Sequence, residues 1–167
     1  VFLTIEKKSK TNLLHPIYIF LEKKCFNRAK HIIANSQMVK NDIISTYKIA
    51  PEKISVIHNG VSTKEFNYQK SFDKLSKEFL LSKDQKILLY VGSGFKRKGV
   101  KEFLNIISKL KDLDIKAFVI GKEKNIEYYQ QLSRELSIDK QVIFTGARGG
   151  VDDFYTIADI FLFPTHY

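Results

Sequence analysis

The chain has 167 residues, 44% hydrophobic and 28% charged, with 28 Lys+Arg against 18 Asp+Glu and a net charge of +10. This is globular composition, which excludes a fibrous or disordered chain, and the single cysteine, Cys25, excludes an intrachain disulfide. No stretch approaches the roughly 20 apolar residues of a membrane helix, and the cationic excess favours anionic partners such as nucleic acid, acidic lipid or phosphorylated small molecules. The lysines are dispersed along the chain, the pattern of a solvated surface, so charge alone does not choose among them.

Val1 to Ile5 has no basic segment before it and is too short for a signal-peptide core; it reads as the continuation of something upstream. Pro16 to Lys30 predicts a helix, with Ile17, Phe20, Leu21, Lys24 and Arg28 in register. His31 to Ala34 predicts a short buried strand, and Asn35-Ser36 can cap a helix running to about Tyr47. Ile54 to Ile57 is a second strand, closed by the turn His58-Asn59-Gly60, where glycine would supply a positive φ. From Ser62 to Ser82 the chain is polar, with scattered aromatics and little strand signal, which predicts a linker.

Beyond it one unit recurs: an apolar strand ending in glycine or proline, then a helix. Lys86 to Val91 ends at Gly92, Lys116 to Ile120 at Gly121, Gln141 to Thr145 at Gly146, and Ile160 to Phe163, read as buried, at Pro164. Val100, Phe103, Leu104, Ile107 and Leu110 form a helical stripe, and Tyr128 to Leu136 another. Apolar strands alternating with helices predict an α/β fold whose parallel sheet is covered on both faces. Ligands of such sheets bind beyond the C-terminal strand ends, where these glycines sit. The chain thus divides into the end of one α/β lobe (1–61), a linker (62–82) and the first part of a second lobe (83–167), both lobes incomplete.

The run Gly92-Ser93-Gly94-Phe95-Lys96-Arg97-Lys98-Gly99 is the main functional signal. A glycine turn between a strand and a helix N-terminus presents N–H groups and a positive dipole to an anion, and here three consecutive cations stand in the same turn. The combination suits a diphosphate bound without a metal ion. The glycines do not have the G-x-G-x-x-G dinucleotide spacing. Asp112-Leu113-Asp114 has a D-x-D form but lies at the end of the strands away from the crevice, so it reads as a solvated turn. Asp152-Asp153 reads as a helix start, and His15, His31, His58 and His166 are not spaced as a zinc site.

Four segments together resemble a known family. They are Ala34-Asn35-Ser36-Gln37-Met38-Val39-Lys40; Pro51 to Val61, with Phe66 following; Gly92 to Val100; and Ala158-Asp159-Ile160-Phe161-Leu162-Phe163-Pro164-Thr165. In order and spacing they resemble the retaining GT-B glycosyltransferases of the family-four group, in which two Rossmann-like lobes face each other across a cleft. The third segment is most similar to lipopolysaccharide core glucosyltransferases.

The resemblance implies transfer of a hexose from a nucleotide diphosphate sugar, UDP-linked, to a glycan or glycolipid acceptor of the cell envelope, with retention. It implies a cytoplasmic enzyme, peripheral to an anionic membrane, with no metal or other cofactor and no nucleic-acid partner. Lys98 matches the family's diphosphate lysine, and Arg97 matches the arginine of the lipopolysaccharide-type pattern; many members place the arginine where this chain has Ser93. Donor contacts are expected from Gly92, Ser93, Gly94, Gly121, Lys122 and His166 as well. Arg148, in the loop that the family places beside the nucleobase, reads equally as a donor-side residue and as a surface arginine. The family's paired glutamates would follow the strand that ends at Pro164 and are not among these residues, so the 167 residues alone are expected to be inactive. A non-catalytic nucleotide-sugar-binding module is the alternative. A basic nucleic-acid-binding protein ranks lower, since the aromatics fall mainly at strand and helix-stripe positions.

Overall fold

A computed structural model describes residues 15–61 and 65–166. The chain forms two compact units, Val1–Thr63 and Lys64–Tyr167.

The first unit contains helix α1 (His15–Arg28), strand β1 (Ile32–Ala34), helix α2 (Gln37–Tyr47), a 3-10 turn (Pro51–Lys53) and strand β2 (Ile54–Val56). Ser36 caps α2 as the sequence predicts, its Oγ accepting from the Val39 N–H at 3.2 Å. β1 and β2 pair in parallel, Ile32 opposite Ile54 and Ala34 opposite Val56. Ile32, Ala34, Ile43, Tyr47, Ile49 and Ile54 make the core. Lys53 Nζ donates to the carbonyls of Phe26 (3.1 Å) and Asn27 (2.8 Å), tying the 3-10 turn to the end of α1.

Two expectations change here. β1 is not buried throughout: Ile33 points away from the core and is 66% exposed, because side chains alternate and the described residues cover one face of this two-stranded sheet. Gly60 lies outside the positive-φ region, so the turn after β2 does not need a glycine for its backbone conformation.

The second unit is a four-stranded parallel sheet in the order β5-β4-β3-β6. Its strands are β3 (Lys86–Val91), β4 (Ile115–Ile120), β5 (Val142–Gly146) and β6 (Ile160–Phe161). Its helices are α3 (Tyr68–Phe79), α4 (Phe95–Lys98), α5 (Val100–Ser108), α6 (Ile126–Glu135) and α7 (Val151–Ile157). Period-two alternation divides the core. Leu88, Tyr90, Ala117 and Val119 meet Phe103, Leu104, Ile107 and Tyr129 of α5 and α6 on one face. Ile87, Leu89, Phe118 and Ile120 meet Phe72, Leu75, Phe154 and Ile157 of α3 and α7 on the other. Both faces are covered, which is why the strands read as continuous apolar runs.

The predicted linker is corrected. Residues 62–64 lie outside the described residues, but Tyr68–Phe79 is a helix of the second unit, with Phe72 at 5% and Leu75 at 1% exposure. Asn67 caps it, Oδ1 accepting from the Lys70 N–H at 2.9 Å. Phe72, Leu75 and Phe79 have helical spacing; a segment judged on strand signal alone hides it. Among the described residues β6 is two residues long and has no strand on its outer side, which leaves Ile160 and Phe161 about half exposed.

Strand order reverses beside β3: the chain steps from β3 outward to β4 and β5, then returns through α7 to place β6 on the other side. The resulting switch point between β3 and β6 opens a crevice at their C-terminal ends.

Candidate functional site

The turn after β3 lies in that crevice. Phe95, fully buried, anchors α4 by edge-on packing on Tyr90 (5.8 Å) and Tyr129 (5.3 Å). Lys96, Arg97 and Lys98 therefore ride on one short helical turn fixed to the core. Gly99 follows with φ of 77°, and a Cβ there would fall 1.8 Å from the Pro164 carbonyl oxygen. Only glycine lets the segment after β6 pass this close to the loop. His166 N–H then donates to the Arg97 carbonyl at 3.3 Å, and the Lys98 ammonium lies 5.0 Å from the centre of the Phe163 ring. The loops after β3 and β6 thus meet at the switch point.

The turn after β4 closes the other side. Gly121 has φ of 155°, and a Cβ there would fall 1.9 Å from the Gly92 carbonyl oxygen. Lys122 N–H donates to Ser93 Oγ at 3.1 Å. Glu123 Oε2 accepts from the Phe95 N–H at 2.9 Å, and Oε1 from the Asn125 N–H at 3.2 Å. Burial raises the Glu123 pKa, but the backbone donors of Asn125, Phe95 and Lys124 outweigh it and hold the carboxyl below its ordinary value.

This clasp narrows the anion-site expectation. The N–H that opens α4 is already satisfied by the protein's own carboxylate, and the amides of Arg97 and Lys98 bond back to the Gly94 carbonyl. Anion binding at this turn therefore falls to side-chain cations more than to the helix start. Glu123, beside Gly121 and Lys122 at the crevice end of β4, thus holds the turn, a role that its position along the chain does not reveal. Tyr90 is a residue the sequence reading passed over. Its hydroxyl is buried beneath the turn with no hydrogen-bond partner among the described residues. Burial raises its pKa well above the ordinary tyrosine value, while the nearby Arg97 charge works against that rise.

Of the residues expected from sequence, Gly92, Ser93, Gly94, Arg97, Lys98, Gly121 and Lys122 come together at the ends of β3 and β4, and His166 joins through Arg97. The Arg148 side chain is engaged elsewhere. Its guanidinium makes paired hydrogen bonds to both Glu78 oxygens (2.8 and 3.0 Å) and lies over the Phe154 (4.8 Å) and Phe79 (5.5 Å) rings. It ties α3 to the loop before α7, so the backbone of residues 146–150 is what that loop offers a ligand. Asp114 lies at the opposite end of the sheet, as expected, its carbonyl accepting from the Lys86 N–H and its carboxylate from Gln85.

Known proteins share this fold. The family described as Glycosyl transferases group 1 matches residues 71–167, and Glycosyltransferase Family 4 matches residues 5–65. The chain is 28% identical over 125 residues to the O-antigen chain mannosyltransferase RfbU of Salmonella typhimurium, covering 75% of this chain and 32% of the relative. It is 24% identical over 159 residues to the lipopolysaccharide glucosyltransferase WaaG of Escherichia coli, covering 89% of this chain and 42% of the relative. A crystal structure of WaaG superposes with a TM-score of 0.75 at 21% identity, covering 99% of this chain and 48% of that one. The Anabaena protein HepE, solved with UDP and glucose, gives 0.73 at 18% identity, covering 89% and 42%. The structural likenesses show the fold. The chain spans less than half the length of each of these relatives.

Proposed function

The chain belongs to the group 1 glycosyl transferases and carries part of a GT-B fold; from that premise we propose that it serves an enzyme moving a hexose from a UDP-sugar to a cell-envelope glycan such as lipopolysaccharide core, with retention. The observation that carries this reading is the placement of Arg97 and Lys98 on α4, at the switch point of the sheet, with Pro164–His166 against the same turn.

In the proposed reaction the bond between the anomeric carbon and the diphosphate oxygen breaks, and negative charge grows on the leaving diphosphate. Lys98, a point charge, and Arg97, a planar fork able to hold two phosphate oxygens, stabilise that charge. They act in place of a divalent cation, which is why we propose metal-independent chemistry. The nucleobase lies toward the turns after β4 and β5. Support for UDP comes from HepE, solved with that nucleotide, and support for an envelope acceptor from the names of WaaG and RfbU. The paired glutamates that the family resemblance implies are not among these residues, so the 167 residues are proposed to bind donor without turning it over.

We place the protein at the cytoplasmic face of an anionic membrane. The net charge of +10 favours such contact, and no helix among the described residues is long and apolar enough to cross a membrane. Calorimetric titration of UDP, GDP and ADP tests the reading. UDP is expected to bind most tightly, and Lys98→Ala to weaken it about tenfold or more, the worth of a charge-assisted phosphate contact. Equal binding of all three, or no effect of Lys98→Ala, defeats it.

A further inference from the structure

Where α4, the start of α5 and the start of α6 converge, the second unit opens into a cavity of about 530 Å³. It lies on the other side of α4 from the proposed diphosphate lysine. Lys96 and Lys98 are two residues apart, about 200° of helix rotation; Lys96 lines the cavity, whereas Lys98 lies over the Phe163 ring. Of the donor residues expected from sequence, only His166 lines it.

The charges in its wall are unevenly satisfied. The Glu123 carboxylate is held by the backbone N–H groups of Phe95 and Asn125, and the Glu102 carboxylate lies 3.4 Å from His166 Nε2. Lys96 and Lys101 line the same cavity and have no ion-pair partner among the described residues. Lys96 and Lys101 are exposed and, among the described residues, unpaired there, so an anion that enters the cavity finds two cations free to meet it.

Its uncharged lining suits a hydroxylated ring. Tyr129 is only 5% exposed yet lines the cavity, and its hydroxyl makes no hydrogen bond among the described residues. Burial raises its pKa, and the charges of Glu123 and Glu102 add to that, so the group is a standing proton donor. The ring is buried and the hydroxyl is open to the cavity, so it can donate to a ligand oxygen there. Asn125 is the N-cap of α6 but makes no side-chain cap hydrogen bond, which leaves its amide to donate and accept. Tyr128 is held perpendicular to Tyr129 (5.0 Å, 83°) and is 47% exposed, a flat apolar face at the rim.

We propose that this cavity is a saccharide site, separate from the nucleotide side of the loop, for a pyranose bearing one phosphate. The ring lies on Tyr128, its hydroxyls meet Tyr129 and Asn125, and the phosphate sits between Lys96 and Lys101. A free hexose phosphate and a phosphorylated sugar within a longer glycan share that chemistry.

The test is calorimetric titration of glucose 6-phosphate into the protein with UDP at saturation. Binding is expected to persist with UDP present, and glucose or inorganic phosphate alone to bind about tenfold more weakly. Lys101→Ala, an exposed position, should lower the affinity about tenfold, Tyr129→Phe about fivefold, and Lys98→Ala not at all. A phosphorylated disaccharide that binds more tightly than the monosaccharide identifies a longer glycan as the occupant; the reverse order identifies the free sugar phosphate. The proposal is overturned if glucose 6-phosphate does not bind, if UDP displaces it, if inorganic phosphate binds equally well, or if Lys101→Ala has no effect. Failure of UDP itself to bind would remove the donor reading and leave this one standing.

Discussion

Two turns of the second unit look alike in sequence and behave differently. Gly92–Gly99 and Gly146–Gly150 each follow a parallel strand, each contains several glycines, and each carries arginine. In the first, the cations ride on α4 at the strand-order reversal, and Lys98 rests on an aromatic ring with no ion pair among the described residues. In the second, Arg148 is paired with Glu78, 70 residues earlier in the chain, and packed on the Phe79 and Phe154 rings. A cation in a strand-end turn is available to a ligand only if no other element has claimed it. Here α3 decides that, and α3 comes from the segment the sequence presents as a linker.

The comparison is broken most severely at the glycines. Gly99→Ala drives a Cβ into the Pro164 carbonyl at positive φ, and should cost about 2 kcal/mol or more. Gly149→Ala meets nothing within 4 Å and should change stability by less than about 0.5 kcal/mol. Urea melts of the two variants measure the difference; equal costs would mean that the segment after β6 does not pack on the first turn.

The arginine and the lysine should then separate by readout. Lys98→Ala is expected to weaken UDP binding with an unchanged melt. Arg148→Ala is expected to lower stability by about 1 kcal/mol, through one half-exposed ion pair and two ring contacts, and to leave UDP affinity alone. A loss of UDP affinity in Arg148→Ala at unchanged stability would return that side chain to the donor site.

A smaller effect sharpens the first turn. Glu123→Gln weakens a charge-assisted bond to the Phe95 N–H, and hydrogen exchange of that amide should quicken severalfold. The acid dependence has a definite sign. The folded Glu123 pKa lies below its ordinary value, so the clasp contributes fully above that ordinary value of about 4.3 and is lost as pH falls through the depressed one. Exchange at Phe95, corrected for its intrinsic rate, should therefore rise only below about pH 4. A rise already at neutral pH would show that Glu123 does not hold the turn. Ser93→Ala, which removes the bond from Lys122 N–H, should have the least effect, at about 0.5 kcal/mol.

Much of this was legible in the chain itself. The stripe Val100, Phe103, Leu104, Ile107 became the buried face of α5, the Ser36 cap formed, and each glycine-terminated apolar run from Lys86 to Gly146 became a parallel strand. The basic turn was placed at the right end of the sheet, because a strand followed by a helix leaves its turn at the C-terminal edge. Less legible was α3, a feature with weak local signal, with Phe72, Leu75 and Phe79 its only large apolar residues apart from Tyr68.

By itself the sequence determined the α/β class, the strand and helix periodicities and the basic turn, since these depend on local spacing and on side chains within a few residues of one another. Only the tertiary structure decided which cation was already paired, which amide was already satisfied and which lysines face a cavity. Those outcomes rest on partners 28 to 70 residues apart, as in the bonds of Glu123 to Phe95 and Glu78 to Arg148. No local pattern encodes such distances; packing on both faces of the sheet brings the partners together.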